Sequence, residues 1–398
     1  MSVCLRDEHI RMARELVAEA HANDGLAPVD LVTFWHDDET SHRDPFGTHI
    51  PQVPLGARLN GECVFTELGV DQDHRRYQED TEWRFSLNRQ YNDKAERIVG
   101  RRLLPDKPPA KHKPGYPAHR EIHEVFEMRN VWDDVSQSWW LESAARTPDE
   151  LEALLDRVDA RNLREFLLPD EWCRARDELV PQGVLPRMYR GERGPVTFAT
   201  SMFGPENLIF LILDRPELAA RLRDTITRVT LDIARILDEE AGYTPETAPR
   251  GWYWRDDNCC LLNPDMYEFF GYPILRDVFR RYSPDPGDMR GQHSDSDMGH
   301  LLPLLGKLNM TDVNFGPNVM ADEIRRNLPH AIIRGVLAPF TYSRNEEVNI
   351  VAEFLRDFEM VRDTRGLVFA TAGSINDGSR LTGMRLIMAA IQRWGRYE

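Results

Sequence analysis

Residues 289–315 read MRGQHSDSDMGHLLPLLGKLNMTDVNF. A short run, Met289–His293, ends in a polar cluster; a helical pattern follows from about Met298 to Leu308; a second short run, Asp312–Phe315, comes next. Strand, helix and strand at this spacing form the crossover that parallel strands require, because the chain must return to its starting end before it can pair again. The same alternation continues in both directions. Upstream, Gly251–Arg255 precedes a helix from about Pro264 to Tyr282. Downstream, helices at 320–328, 345–363 and 379–394 alternate with the runs Ala331–Val336 and Leu367–Ala370. Earlier still, the apolar run Val196–Ala199 leads to a long helix with Asp214 as cap and Pro216 in its first turn. Its buried stripe is Leu218, Leu222, Ile226, Val229, Ile233 and Leu237. Such regular alternation predicts an α/β protein with a parallel sheet, and its density favours a closed (β/α)8 TIM barrel.

The first 145 residues read differently, as an N-terminal extension with the first barrel elements and a long insertion. Residues 146–398 hold the remainder of the barrel. Ile10, Ala13, Leu16, Val17 and Ala20 recur at helical spacing, and a short apolar run follows at Val29–Trp35. From Asp44 to about Gly115 the text is dense in Pro and Lys (DPFGTHIPQVPLG, LLPDKPPAKHKPGYP), which predicts an elaborate loop or hairpin region. Helical patterns resume at TPDELEALLDRV, where Thr147 caps, Pro148 takes the first helical position and Glu150 completes a capping box.

Composition narrows the function classes. The chain has 398 residues, 50 Lys+Arg against 66 Asp+Glu, and a formal net charge of −16. That balance repels a phosphate backbone, so nucleic acid is excluded as a partner. No run of 18 apolar residues spans a membrane, and the charged start lacks a secretory signal's apolar stretch. Five scattered cysteines without a CxxC pair argue against a disulfide framework and for a reducing cytoplasm.

In parallel α/β folds, chemistry collects on the loops that follow the strands. Those loops carry more polar residues here than capping and turning require. The first is His293-Ser294-Asp295-Ser296-Asp297. His293 and Asp295, two apart, can ligate a divalent metal, or Asp295 can orient His293 for proton transfer. Against this stands a bland reading in which Ser296 or Asp297 merely caps the next helix. The second is Asp256-Asp257-Asn258-Cys259-Cys260. Paired carboxylates can split into one acid and one base, and Cys260 is a candidate ligand, although buried cysteine is commonly inert. The third, Ala372-Gly373-Ser374-Ile375-Asn376-Asp377-Gly378, brings small residues and N–H groups close to a ligand, and serves equally as a capping turn. His293, Asp256, Asp257 and Asp295 are the expected catalytic residues. Asn258, Asp297, Asn314, Ser374, Asn376 and Trp254 are the expected substrate contacts.

From about Thr147 onward the chain resembles the uroporphyrinogen decarboxylase (URO-D) superfamily, which includes cobalamin-linked methyltransferases. The segments that carry the resemblance are TPDELEALL, GPVTFATSMFGPENLIFLILDRPELAARL, DDNCCLLNPDMYEFFGYPILRDVF and QHSDSDMGHLLPLLGKLNMTDVNFGP. Two departures stand out. The decarboxylases' N-terminal arginine motif, which clamps substrate carboxylates, has no match in residues 1–60. The methyltransferases' zinc pattern of His-x-Cys plus a second Cys meets Asp295 at the first cysteine position and Gly373 near the second. The resemblance therefore implies an enzyme for a small polar substrate, with His293, Asp295 and Cys260 or Asp257 holding zinc or another divalent metal that prefers oxygen. It implies methyl or one-carbon transfer, with a corrinoid protein and a second copy of the chain as partners. Two other readings stand beside it: a cofactor-free decarboxylase, and a non-catalytic substrate- or corrinoid-binding protein.

Overall fold

The structure is a computed structural model and describes residues 5–108, 115–373 and 377–397. Eight strands form among them. β1 (Arg129–Asp133) and β2 (Ser138–Glu142) make an antiparallel hairpin. The others are β3 (Gly191–Arg193), β4 (Trp252–Arg255), β5 (Arg290–Ser294), β6 (Asp312–Phe315), β7 (Ile332–Leu337) and β8 (Leu367–Thr371), forming one sheet in that order. The pairings β3–β4, β4–β5, β6–β7 and β7–β8 are parallel. The α/β class and parallel sheet are as expected, and no closed eight-stranded ring is formed among the described residues. Among the described residues β3 and β8 are the ends of the order, and the hairpin stands apart from it.

Two compact units make up the chain, and neither is continuous in sequence. One comprises Met1–Pro108, Asp295–Leu302 and Asp312–Glu398; the other comprises Pro109–Ser294 and Pro303–Thr311.

In the second unit the long helix Pro216–Glu240 falls between β3 and β4 in the chain, and its predicted stripe from Leu218 to Leu237 is buried throughout. Its N-cap is Arg215 rather than Asp214, which ends the preceding helix Pro205–Asp214. The expected strand at Val196–Ala199 is instead a helix, Pro195–Phe203. Pro195 at the first position presets the helical φ, and the Asp256 carboxylate accepts from the Thr197 N–H at 2.8 Å, so the first turn is capped from outside. Thr147 caps its helix as expected, accepting from the Glu150 N–H at 3.2 Å.

The first unit packs the helix Asp7–His21, which buries Ala13, Leu16, Val17 and Ala20, against Glu347–Val361. Of the expected loop at 44–115, the described residues up to 108 are far more ordered than a loop. The stretch around Leu55 runs parallel to β8, with Gly56 N–H donating to Phe369 C=O at 2.7 Å. A 19-residue helix, Thr81–Val99, follows. Its packed face is partly polar, which hid it: Asn92 accepts from the N–H groups of Leu103 and Leu104 (2.8 and 3.0 Å) and donates to Leu104 C=O, while Asn88 donates to Pro105 C=O. Buried amides that complete backbone hydrogen bonds replace the apolar stripe that periodicity detects. No single described helix is long and apolar enough to cross a membrane; only Pro195–Phe203 with Pro205–Asp214, bent by 102°, passes as a pair.

Candidate active site

The ends of β4 and β5 set the site. Arg255 and His293 are register partners, and Asp256 N–H donates to His293 C=O at 2.9 Å, so the two strands deliver their following loops side by side. A short 3-10 turn, Asp257–Leu261, then holds Asp257 toward His293. His293 Nε2 lies 3.8 Å from Asp257 Oδ1, with the side chains 21% and 44% exposed. This distance exceeds a hydrogen bond but suits an ion pair or two ligands facing a common ion.

Asp256 does different work. It is fully buried, its Oδ1 accepts from Thr197 N–H, and burial pushes its carboxyl up to about 6 against the opposing pull of the Thr197 and Val196 N–H groups. Gly194 makes this possible, since a Cβ there would stand 2.0 Å from Asp256 Cβ. Asn258 is tied to the same helix: its N–H donates to Thr197 Oγ1 at 2.9 Å and its amide to Thr200 Oγ1 at 2.7 Å. Thr197 therefore organises both expected residues. The Gly194-Pro195 pair that opens its helix is the signal that sequence reading could have used.

Cysteine ligation finds no support in the local geometry. The Cys260 thiol donates to Asp257 C=O at 3.6 Å, and buried Cys259 lies 3.8 Å from Ser294 Oγ. Trp254 is 1% exposed and packs on Trp252 with ring centroids 5.3 Å apart, which places it in the core.

Asp295, two residues beyond His293, opens the next segment. A Cβ on Gly373, whose φ is +96°, would come within 1.8 Å of Asp295 Oδ1, so this carboxylate fills the space a larger residue would take. Asn314 is occupied with backbone: its amide donates to Thr371 C=O (3.0 Å) and to Arg334 C=O, and accepts from Gly373 N–H (3.2 Å). It fastens β6, β7 and β8 to one another. Asp297 is exposed, and Ser374 and Asn376 lie outside the described residues.

An imidazole nitrogen facing a carboxylate oxygen suits a divalent cation that favours oxygen, or proton exchange between the two groups. Comparison with known proteins adds the family. Among solved structures, a methyltransferase from Methanosarcina mazei is similar, with a TM-score of 0.49 and 14% identity over 85% of this chain and 93% of that chain. No curated protein matches the sequence. Residues 191–394, just over half of the chain, match the family model for uroporphyrinogen decarboxylase (URO-D). This match covers every strand from β3 to β8 and both members of the His293–Asp257 pair, and the chain belongs to the uroporphyrinogen decarboxylase family.

Proposed function

We propose that the chain is an enzyme with its reaction centre at His293 and Asp257, and that it transfers a methyl or other one-carbon group on a small polar substrate with the help of a divalent metal. The 3.8 Å approach of these side chains, His293 near the end of β5 and Asp257 in the turn after β4, carries the reading, because that end of a parallel sheet is where α/β enzymes do chemistry. The pair fits an ion held by His293 and Asp257. With no thiolate in the set, the site favours an ion that accepts oxygen and imidazole donors. When bound, the ion supplies a Lewis acid that polarises the reacting atom. His293, partly exposed, moves a proton at Nε2 when it is not ligating, and Asp257 stabilises the imidazolium that results. Asp256 fixes the loop through the Thr197 N–H. A corrinoid protein is the methyl source this reading calls for.

Metal analysis of untagged protein tests the proposal. Stoichiometric metal that falls sharply in His293→Ala and Asp257→Asn is expected; metal-free wild-type protein that turns over fully would sink it. A second reading, cofactor-free decarboxylation, draws on Asp256, which burial keeps protonated toward neutral pH beside Asp257. It requires carbon dioxide release that survives a chelator and disappears in Asp256→Asn or Asp257→Asn.

A further inference from the structure

A cavity of about 390 Å³ lies within the second unit, beside β3. Arg120, Arg187 and the strand itself line it, and β4 contributes Tyr253 and Arg255. These three arginines have no carboxylate within 4.0 Å among the described residues. The Arg120 guanidinium carbon lies 4.3 Å from the Phe166 ring and that of Arg255 5.8 Å from the Tyr253 ring, face contacts that leave the guanidinium hydrogens unspent. A fourth, Arg190, is already committed: its guanidinium donates to Asp238 at 2.6 Å and to Pro249 C=O.

The acidic groups at this cavity are accounted for as well. Glu192 accepts from Tyr189 Oη at 2.6 Å and from Arg193 N–H, and burial raises its carboxyl above the usual range. Glu121 is 67% exposed and pairs with His123 at 3.3 Å. His119 Nδ1 is held at Arg120 C=O, 2.9 Å away. The balance in the cavity is therefore cationic, within a chain whose net charge is −16. Unpaired guanidiniums at the rim of a concave space are the ordinary means of taking a carboxylate or phosphate, through charge-assisted and commonly bidentate hydrogen bonds.

We infer that this cavity binds a small anion, a carboxylate or phosphate group, through Arg120, Arg187 and Arg255. The inference does not depend on which reaction occurs at His293. Its test is titration calorimetry of the full chain with inorganic phosphate and, separately, with succinate, in about 0.15 M salt so that weak surface attraction is screened. Saturable binding of either probe is expected, and the tighter probe identifies the group. Arg187→Gln and Arg255→Gln should each weaken it about tenfold or more, as loss of a charge-assisted hydrogen bond does. Arg129→Gln, on the β1–β2 hairpin, should leave it unchanged. Two results overturn the inference: no saturable binding of either probe by the intact chain, or affinity unchanged in the Arg187→Gln/Arg255→Gln double variant whose melting shows it folded.

Discussion

Replacing Asp256 with Asn should favour stability more at pH 8 than at pH 4. The carboxyl is fully buried and burial lifts it from 3.8 to about 6, so the folded chain resists ionising it while the unfolded chain does not. For an acid raised on folding, the associated stability is complete below 3.8 and is lost as pH climbs through about 6. A shift of roughly two units at 1.36 kcal/mol per unit gives a cost of about 3 kcal/mol at pH 8. Asparagine keeps an oxygen to accept from Thr197 N–H, now at 2.8 Å. Its NH2 brings two N–H donors where the protonated acid has one O–H, and Asp256 Oδ2 has no partner among the described residues, so the variant also carries a cost of about 1–3 kcal/mol that does not change with pH. Asp357, also fully buried and pushed up to about 7, tilts stability the same way, so the informative quantity is the variant minus wild type at each pH. Urea unfolding at pH 4, 6 and 8 reads it. A difference that stays the same across the three pH values would refute the argument, since Asp256 would then ionise alike in both states.

Other perturbations report on neighbouring parts of the structure. Gly194→Ala would put a Cβ 2.6 Å from Asp256 Cα, a backbone atom that cannot swing away; a loss of about 3 kcal/mol or more in urea unfolding is expected, at the upper end of overpacking costs. Wild-type stability in that variant would show that the loop has room. Asn92→Ala strips partners from two N–H groups and one carbonyl at residues 103 and 104, and should cost about 2 kcal/mol. Hydrogen exchange should show faster exchange at Leu103 and Leu104; unchanged rates would contradict the assigned role.

The second half of the chain was legible because each strand and its helix announce themselves by run length, period and capping residues. Pro216, Thr147 and the stripe from Leu218 to Leu237 behave as read. His293 and Asp257 could be singled out because a strand-end loop spent more charge than a turn needs. Three things were hidden. Val196–Ala199 is too short for its period to decide, and its helix is settled by a carboxylate 59 residues away. Asn314 looked like a ligand-binding amide, but its partners are carbonyls of strands that sequence alone does not align. Thr81–Val99 escaped because Asn88 and Asn92 stand where an apolar residue would have marked the face.

The stretch around Leu55 pairs with Phe369, and Gln52 bridges to Arg396. A ribosome therefore releases the first of these segments long before its mates exist. For most of synthesis the early stretch waits with open hydrogen-bonding groups and apolar side chains such as Val53 and Leu55 exposed. Contacts so distant in sequence close slowly and leave time for misassembly or capture by a chaperone. A stop codon or frameshift near the end would thus do more than trim a tail. It would leave the opening hundred residues without the partner that completes them, so nascent-chain length should control protease resistance there in a single late step.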